Sequence, residues 1–595
     1  MKLIFTESYE ELKQRLSAIS GEWDDSQKNK IVLRCLNGGV MSWYESTGTI
    51  QFQGTEEGKQ YLENIVKSAL YPDEILIEKD AEPVPIDNHE TTCSLLEASI
   101  SHDIINDYLL GNFDCSEIII GIVSAVGTET TRVINPLTDR LKRFGYKVEE
   151  IKVSSLLKNI NIDTTDEYLR IKNLMNEGDS LRERTKNNAI LAYGSAKLIK
   201  EKRNTQNKKT AYIINSLKHP DEVETLRKIY GQGFYLFGIH ADKKRRLEYL
   251  TNDKGLINTQ AAELTGIDED EKIPHGQRTR DTYHLSDFFI NFGKDDDQVK
   301  NTIQRFLELI FSHPYKNPTF DEFSMFMAFS SSVRSGDLSR QVGAVIAKNQ
   351  QIVATGANEC PAFGGGLYWA EIDVKSGDVI DKAGGKDYTR NEDSNKAEQN
   401  EIISSILDSI KKTVTVDVEN VGKIRDVLEN SRIRDLTEFG RVVHAEMEAI
   451  LSCGRGGISC IDSTLYCTTF PCHNCAKHII ASGITRVVYV EPYPKSKALE
   501  FHSDSIELKT QLDAKENPDS VIFEPFTGVG ARRFLDFFSM SLGTGNKLKR
   551  KNKDGATLVW DKKDAKLRVA LLPKSYLDIE DAATSVFDTS TASSM

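Results

Sequence analysis

The chain has no apolar run near the roughly 18 residues that a membrane-spanning helix needs. Its start, "MKLIFTESYEELKQRL", turns charged too soon for a secretory signal, so neither membrane insertion nor export is expected. Cysteine is sparse and odd in number: nine in 595 residues, at 35, 93, 115, 360, 453, 460, 467, 472 and 475. That scatter lacks the dense framework of a disulfide-stapled secreted domain and points to a reducing cytoplasm. Positive charge is in deficit, 76 Lys and Arg against 89 Asp and Glu, for a net charge of −13. Phosphate neutralisation supplies most non-specific nucleic-acid affinity, so a general nucleic-acid binder is not expected. A local basic pocket for a small nucleotide is not. No internal repeat of fixed period is present.

What is there is length and alternation. A chain of 595 residues suggests about three to four domains of roughly 100–200 residues each. Residues 29–54, "NKIVLRCLNGGVMSWYESTGTIQFQG", read as three strands joined by turns at "NGG" and "STG". "TEEGKQYLENIVKSAL" follows with helical spacing. We expect a small α/β module over 1–75 and a linker over 76–115. "EIIIGIV" at 117–123 has the β-branched composition of a buried strand. Beyond it, strand and helix alternate to about residue 315, which implies a parallel sheet covered by helices. A second layered α/β unit is expected over 318–545, interrupted by an insertion at 364–435 of a length that is usually functional or disordered. Residues 546–595 form a carboxy-terminal extension whose last residues, "DTSTASSM", read as a frayed tail.

The chemistry-bearing stretch is "HAEMEAI" (444–450) followed by "TTFPCHNCAKHII" (468–480). Catalytic zinc takes three protein ligands and leaves a fourth position open; His444, Cys472 and Cys475 make three. Cys472 and Cys475, at i and i+3, share a helix face, and a helix amino terminus helps thiols shed their protons. Zinc lowers the pKa of bound water toward about 7. Glu446, outside the ligand set, is then available to carry a proton from that water to a ring nitrogen and on to a departing amine. H-x-E with P-C-x-x-C is a known signature of zinc nucleobase deaminases, so this assignment is matched to it. Since i and i+2 diverge in mid-helix, His444 is expected at or before the first turn. The competing reading is a closed structural zinc site, which needs a fourth Cys or His; His473 and His478 are near. Cys453, Cys460 and Cys467 read as small buried hydrophobes.

"RSGDLSRQVGAVIAKNQQIVATGANECP", "HAEMEAI", "TLYCTTFPCHNCAKHIIASGITRVVYVEPY" and "EPFTGVGARRF" together resemble the deoxycytidylate deaminase branch of the cytidine deaminase superfamily, over about residues 318–540. The resemblance implies a cytidine deaminase-like α/β/α sandwich, a Zn²⁺ cofactor, and conversion of cytosine to uracil on a free deoxynucleotide. It also implies a sugar contact for Asn358, a phosphate contact for Arg340 and a pocket wall for Tyr493. The competing readings are a surface ion pair for Arg340 and ordinary core for Tyr493. The 364–435 insertion departs from the minimal enzymes and leaves the substrate's phosphate number open.

Residues 116–315 resemble a P-loop nucleoside-phosphate kinase, with "EIIIGIVSAVGTETTRVINPLTDRL" at the strand–loop–helix position and "LKHPDEVETLRKIYG" and "GIHADKKRRLEYL" further along. A working loop needs G-x-x-x-x-G-K-[ST]. Here Gly127 is followed by Thr128 and Glu129, and position 122 is Ile. Gly127 and Thr128 are the residues left to meet a phosphate in a degenerate loop that regulates, binds a nucleotide weakly or only scaffolds. The joined layout resembles bacterial anti-phage dCTP/dCMP deaminases. That resemblance implies a homo-oligomer, a nucleotide effector at the kinase-like domain and, for some members, an inhibitory small RNA. The first 75 residues lie outside it; Trp43, Tyr44 and Lys59 are their candidates for nucleic-acid contact, and a folded hairpin module is the simpler reading. The basic clusters at 197–209, 243–246 and 547–553 read as solvated surface before RNA sites. Two other function classes compete: a polynucleotide-editing deaminase, which needs a basic aromatic groove, and a regulatory protein whose deaminase fold is inert.

Overall fold

The computed structural model describes residues 3–591 apart from 71–115, 158–165, 204–208, 270–274, 293–295, 492–495, 510–518, 544–547, 570–579 and scattered shorter stretches. Two compact units are present, Met1–Leu96 and Glu97–Met595. Most of the expected linker at 76–115 falls outside the described residues. Among the described residues no helix is long and apolar enough to cross a membrane.

In the first unit, β1 (Leu3–Ile4), β2 (Gly21–Gln27), β3 (Lys30–Cys35), β4 (Gly39–Tyr44) and β5 (Thr49–Gly54) form an antiparallel sheet in the order β1-β5-β4-β3-β2. The three strands β3–β5 match the sequence reading. β1 and β2 extend the sheet; β2, "GEWDDSQ", carries too little apolar character to signal itself. Trp43 is 1% exposed and its indole N–H donates to the Phe5 carbonyl at 2.9 Å. It is core and is not available to a nucleic acid.

The second unit holds two sheets. In the first, β6 (Ile118–Ser124), β7 (Lys147–Lys152), β8 (Thr210–Leu217), β9 (Phe234–His240) and β10 (Phe288–Asn291) run parallel in the order β10-β9-β6-β8-β7. β6 is buried along its whole length, as a strand covered on both faces requires. The loop after β6 turns at Gly127 (φ +83°). Its Val126 amide donates to Asp268 Oδ2 at 2.8 Å, while Lys218 Nζ and the Thr279 hydroxyl donate to Oδ1 at 2.9 and 3.0 Å. Glu129 is held by Arg245 at 2.6 Å.

The other sheet is built from the hairpin β11 (Gly343–Lys348) and β12 (Gln351–Ala357), then β15 (Thr464–Thr469), β16 (Arg486–Glu491), β17 (Ile506–Leu508) and β18 (Val521–Pro525), in the order β12-β11-β15-β16-β18-β17. β15, β16, β18 and β17 are mutually parallel. Helices Phe320–Ser332, Ala445–Arg455 and His473–Ala481 cover it. The 364–435 insertion carries a small hairpin of β13 (Glu371–Ile372) and β14 (Val379–Ile380), then helices Ser394–Thr413 and Val418–Glu429. The two sheets are not separate bodies. β19 (Gly528–Val529), which follows the last strand of the second sheet in the chain, is the sixth strand of the first and pairs antiparallel with β10. The carboxy-terminal extension also folds back: Glu580 is fully buried and takes hydrogen bonds from Arg203 and from the Tyr230 hydroxyl. Of the stretch read as a frayed tail, Asp588 pairs with Lys197 at 2.5 Å.

Candidate active site

His444 is the N-cap of helix Ala445–Arg455, with extended backbone (φ −68°, ψ 151°). That places Glu446 in the first turn while His444 still lies outside it, so side chains two positions apart can serve one site. Cys472 is likewise the N-cap of helix His473–Ala481 (φ −69°, ψ 165°), and Cys475 sits buried in its first turn. β15 and the following loop deliver Cys472 to the end of the sheet where the helix bearing Glu446 begins.

The three donors meet. His444 Nδ1 is 3.4 Å from Cys472 Sγ and 3.3 Å from Cys475 Sγ, and the sulfurs are 3.6 Å apart. A tetrahedral zinc with ligands at about 2.3 Å (sulfur) and about 2.0 Å (nitrogen) sets sulfurs about 3.8 Å apart and sulfur from nitrogen about 3.5 Å. The donor set therefore fits the ion with only small adjustments. No other His, Cys, Asp or Glu among the described residues joins the group; His473 and His478 stand outside it. That leaves three protein ligands, the count of an open site.

Electrostatics follow from the same contacts. The hydrogen bond from Cys475, with that of His444, pulls the Cys472 thiol down to about 3. Its partner Cys475 is pushed well above the ordinary thiol value, first by Cys472 and then by burial. The bond to Cys472 raises His444 to about 9. Without an ion, then, the cluster is a Cys472 thiolate between two proton donors. Glu446 is 5% exposed, and burial lifts its carboxyl above the usual range, as a group that must hold a proton requires. Cys453, Cys460 and Cys467 are all buried in the apolar core of this sheet.

The cluster opens on a cavity of about 200 Å³ lined by Glu446, Asn358, Arg340, Asp337, Asp387 and Asp393, among others. Asn358 uses both ends of its amide on the adjoining loop: it donates to the Arg340 carbonyl at 2.8 Å and accepts from the Val342 amide at 2.6 Å. Its first effect is to shape the wall that carries Arg340. The Arg340 side chain is 46% exposed, with Glu491 3.8 Å away. Tyr493 lies outside the described residues. Gly127 and Thr128 are in the other sheet's loop and line a different cavity of about 330 Å³. There the Thr128 hydroxyl is buried with no partner among the described residues.

Sequence reasoning missed the insertion's contribution. Asp387, Asp393 and Asn395 come from it and face the catalytic cavity. Asp387 is fixed by Arg441 at 2.7 Å and by the Cys360 thiol at 3.4 Å. Phe470, beside the Pro-Cys pair, was also missed as a wall residue. No local spacing announces either, because their partners are distant in the chain.

The site and the layered sheet define a zinc-dependent deaminase, a hydrolase of the cytidine deaminase type. The family model of the cytidine and deoxycytidylate deaminase zinc-binding region matches residues 318–491. The deoxycytidylate deaminase of Enterobacteria phage T4 is 31% identical over 171 residues, covering 29% of this chain and 77% of that protein. The deoxycytidylate deaminase of Mycobacterium phage D29 is 30% identical over 172 residues, 29% of this chain and 94% of that protein. The crystal structure of the dCMP deaminase from cyanophage S-TIM5 in apo form aligns at 18% identity over 36% of this chain and 100% of its own, with a TM-score of 0.19. The chain belongs to the deoxycytidylate deaminase family.

Proposed function

We propose that the protein deaminates free deoxycytidine nucleotides, dCMP, dCTP or both, to the uracil nucleotides. The observation that carries this reading is that His444, Cys472 and Cys475 form one group, while His444, Cys472 and buried Glu446 line one cavity. The names of the relatives supply the substrate class. Zinc held by the three donors would supply an acidified water. Glu446 takes one proton from that water as the water's oxygen bonds to C4, and passes it to N3 of the cytosine ring; it then moves the remaining hydroxyl proton to the amine, which leaves C4 as ammonia while the C4 carbonyl forms. Asn358 holds the Arg340–Val342 loop against the sugar, and Arg340 reaches the phosphates from the rim.

The first parallel sheet, with Gly127 and Thr128 in its loop, is read as a degenerate P-loop kinase-like domain. Asp268 supports this: its carboxylate takes a main-chain amide, a lysine and a threonine hydroxyl, donors of the kind a phosphate would use. Depletion of cytosine nucleotides during phage replication, restraint by a small RNA, and assembly of several copies belong to the same proposal and rest on the domain layout.

The test is purified protein mixed separately with dCMP, dCTP and a cytosine-containing oligonucleotide, with ammonia and uracil products measured. Turnover of a free nucleotide and none of the oligonucleotide is expected. Turnover of the oligonucleotide alone, or of none of the three, overturns the reading.

A further inference from the structure

Beside Glu446, the polar wall of the catalytic cavity includes Asp337, Asn358, Asp387, Asp393 and Asn395. All but one of these are already engaged within the fold. Asp337 accepts from the Ser339 and Arg340 amides at 2.9 and 3.0 Å. Asn358 spends both ends of its amide on the Arg340–Val342 loop. Asp387 accepts from Arg441 and from the Cys360 thiol, and Asp393 caps helix Ser394–Thr413 through the Lys396 amide at 3.1 Å. Asn395, in the first turn of that helix, is the exception: its Oδ1 is buried with no hydrogen-bond partner among the described residues. A buried acceptor without a donor is costly, and no hydrogen bond of the fold fixes the orientation of this amide. A half-turn about its last side-chain bond exchanges oxygen and nitrogen, so the amide is free to turn its acceptor toward a ligand.

Asn395 belongs to the 364–435 insertion, which is clamped to the cavity wall at two places. Gln399, one turn along the same helix, is buried and donates to the Leu436 carbonyl at 2.9 Å, and Ile403 and Leu407 bury the same helix further along. Ahead of the helix, Arg441 binds Asp387 at 2.7 Å and donates to the Gly385 carbonyl at 2.9 Å. The neighbours of Arg441 in the chain, Gly440 and Val442, themselves line the cavity. Supports of this kind hold a contact group to the precision that recognition needs.

A cytosine deoxynucleotide has few hydrogens to give. N3 and O2 of the ring, the sugar's ring oxygen and the ionised phosphate oxygens all accept; the donors are the C4 amine and the 3′-hydroxyl. The amine departs beside Glu446, which leaves the 3′-hydroxyl to meet an acceptor elsewhere in the cavity. We propose that Asn395 accepts a hydrogen bond from that 3′-hydroxyl, so that the insertion supplies the specificity for a sugar with a free 3′ end; this rests on the deaminase reading given above. Asn358, the sugar contact that the family resemblance implies, has no end of its amide to spare for the hydroxyl, and Asn395 has. In a polynucleotide the 3′ oxygen of every internal nucleotide is esterified and has no hydrogen to donate. The same bond therefore separates free nucleotides from strands.

The test is steady-state turnover of dCMP and dCTP, each beside its 2′,3′-dideoxy analogue, by the full-length, zinc-loaded protein. A site built to pair with a hydroxyl rejects the analogue that lacks it, so the wild type is expected to prefer the natural nucleotide by about tenfold or more in kcat/KM. Asn395→Ala and the similarly sized Asn395→Leu are each expected to lose about that factor on the natural nucleotide and to stay within about twofold on the dideoxy analogue. Melting curves and zinc content confirm that the variants fold. A merely structural role would lower both substrates alike. The assignment of Asn395 is overturned if the wild type turns over nucleotide and analogue equally, if the preference survives both variants, or if both substrates are lost in parallel. If the wild type turns over neither dCMP nor dCTP, the deaminase reading itself is overturned, and the assignment of Asn395 with it.

Discussion

Gly356 in β12 lies directly beneath Ala445: a Cβ built on the glycine would stand 2.1 Å from the Ala445 carbonyl oxygen and 2.6 Å from the Ala449 amide. The helix that carries Glu446, and whose cap is His444, rests on the sheet only because that position has no side chain. Gly356→Ala is expected to lift the first turn of the helix. Overpacking of this kind costs about 1–3 kcal/mol, and here the shift falls on a zinc donor. A lower melting temperature together with reduced bound zinc is the expected result. Unchanged zinc content with full activity would show that the contact does not position the site.

Glu446→Gln keeps the side chain's size and removes its ability to accept a proton. Zinc content is expected to stay at the wild-type level, since Glu446 lies outside the donor group. Turnover is expected to fall about 10²-fold or more. Rapid turnover in this variant would remove Glu446 from the proton path.

The parts of the molecule legible in the sequence are those set by local pattern. β6 and β9 announce themselves as unbroken apolar runs because both faces are buried. His444, Glu446, Cys472 and Cys475 were legible because two short motifs at two helix starts hold all four. What was not legible depends on residues far apart in the chain meeting. Asp268 reaches Val126 across 142 positions, and Asp387 reaches the catalytic cavity from an insertion whose sequence gives no period. The pairing of β19 with β10 links residues about 240 positions apart, a contact no window of sequence contains. β2 was missed for a different reason: an edge strand with polar residues needs no apolar alternation once its neighbour is fixed.

Cys472 gives a pH signature once the ion is stripped by a chelator. Its thiol is drawn to about 3 while Cys475 is pushed well above the ordinary value. The thiolate is the nucleophile, so Cys472 is expected to react at pH 5–6, where an ordinary thiol is protonated. Alkylation of metal-free protein at pH 5–6, read by peptide mass spectrometry, is expected at Cys472 and not at Cys475. Zinc added first protects Cys472. Equal labelling of the two, or labelling that begins only near pH 8, would contradict the hydrogen-bond arrangement.

The carboxy-terminal extension makes its own prediction through Arg203. That guanidinium is shared between Glu117, at 2.9 Å, and fully buried Glu580, and the Tyr230 hydroxyl donates to Glu580 at 2.6 Å. Removing one partner of a buried ion pair leaves uncompensated polar groups and costs about 3–5 kcal/mol. Glu580→Ala should therefore lower the urea midpoint clearly, though residue 580 lies far along the chain from the zinc donors. Burial raises the Glu580 carboxyl above its ordinary 4.5 despite Arg203. The folded state thus holds this proton to higher pH than the unfolded chain does, and stability falls as pH rises from about 4.5 through the folded value. Glu580→Gln, which cannot ionise, should flatten that stretch of the stability profile relative to the wild type. An unchanged profile would mean that Glu580 is ionised across the whole range and that Arg203, rather than burial, sets its charge.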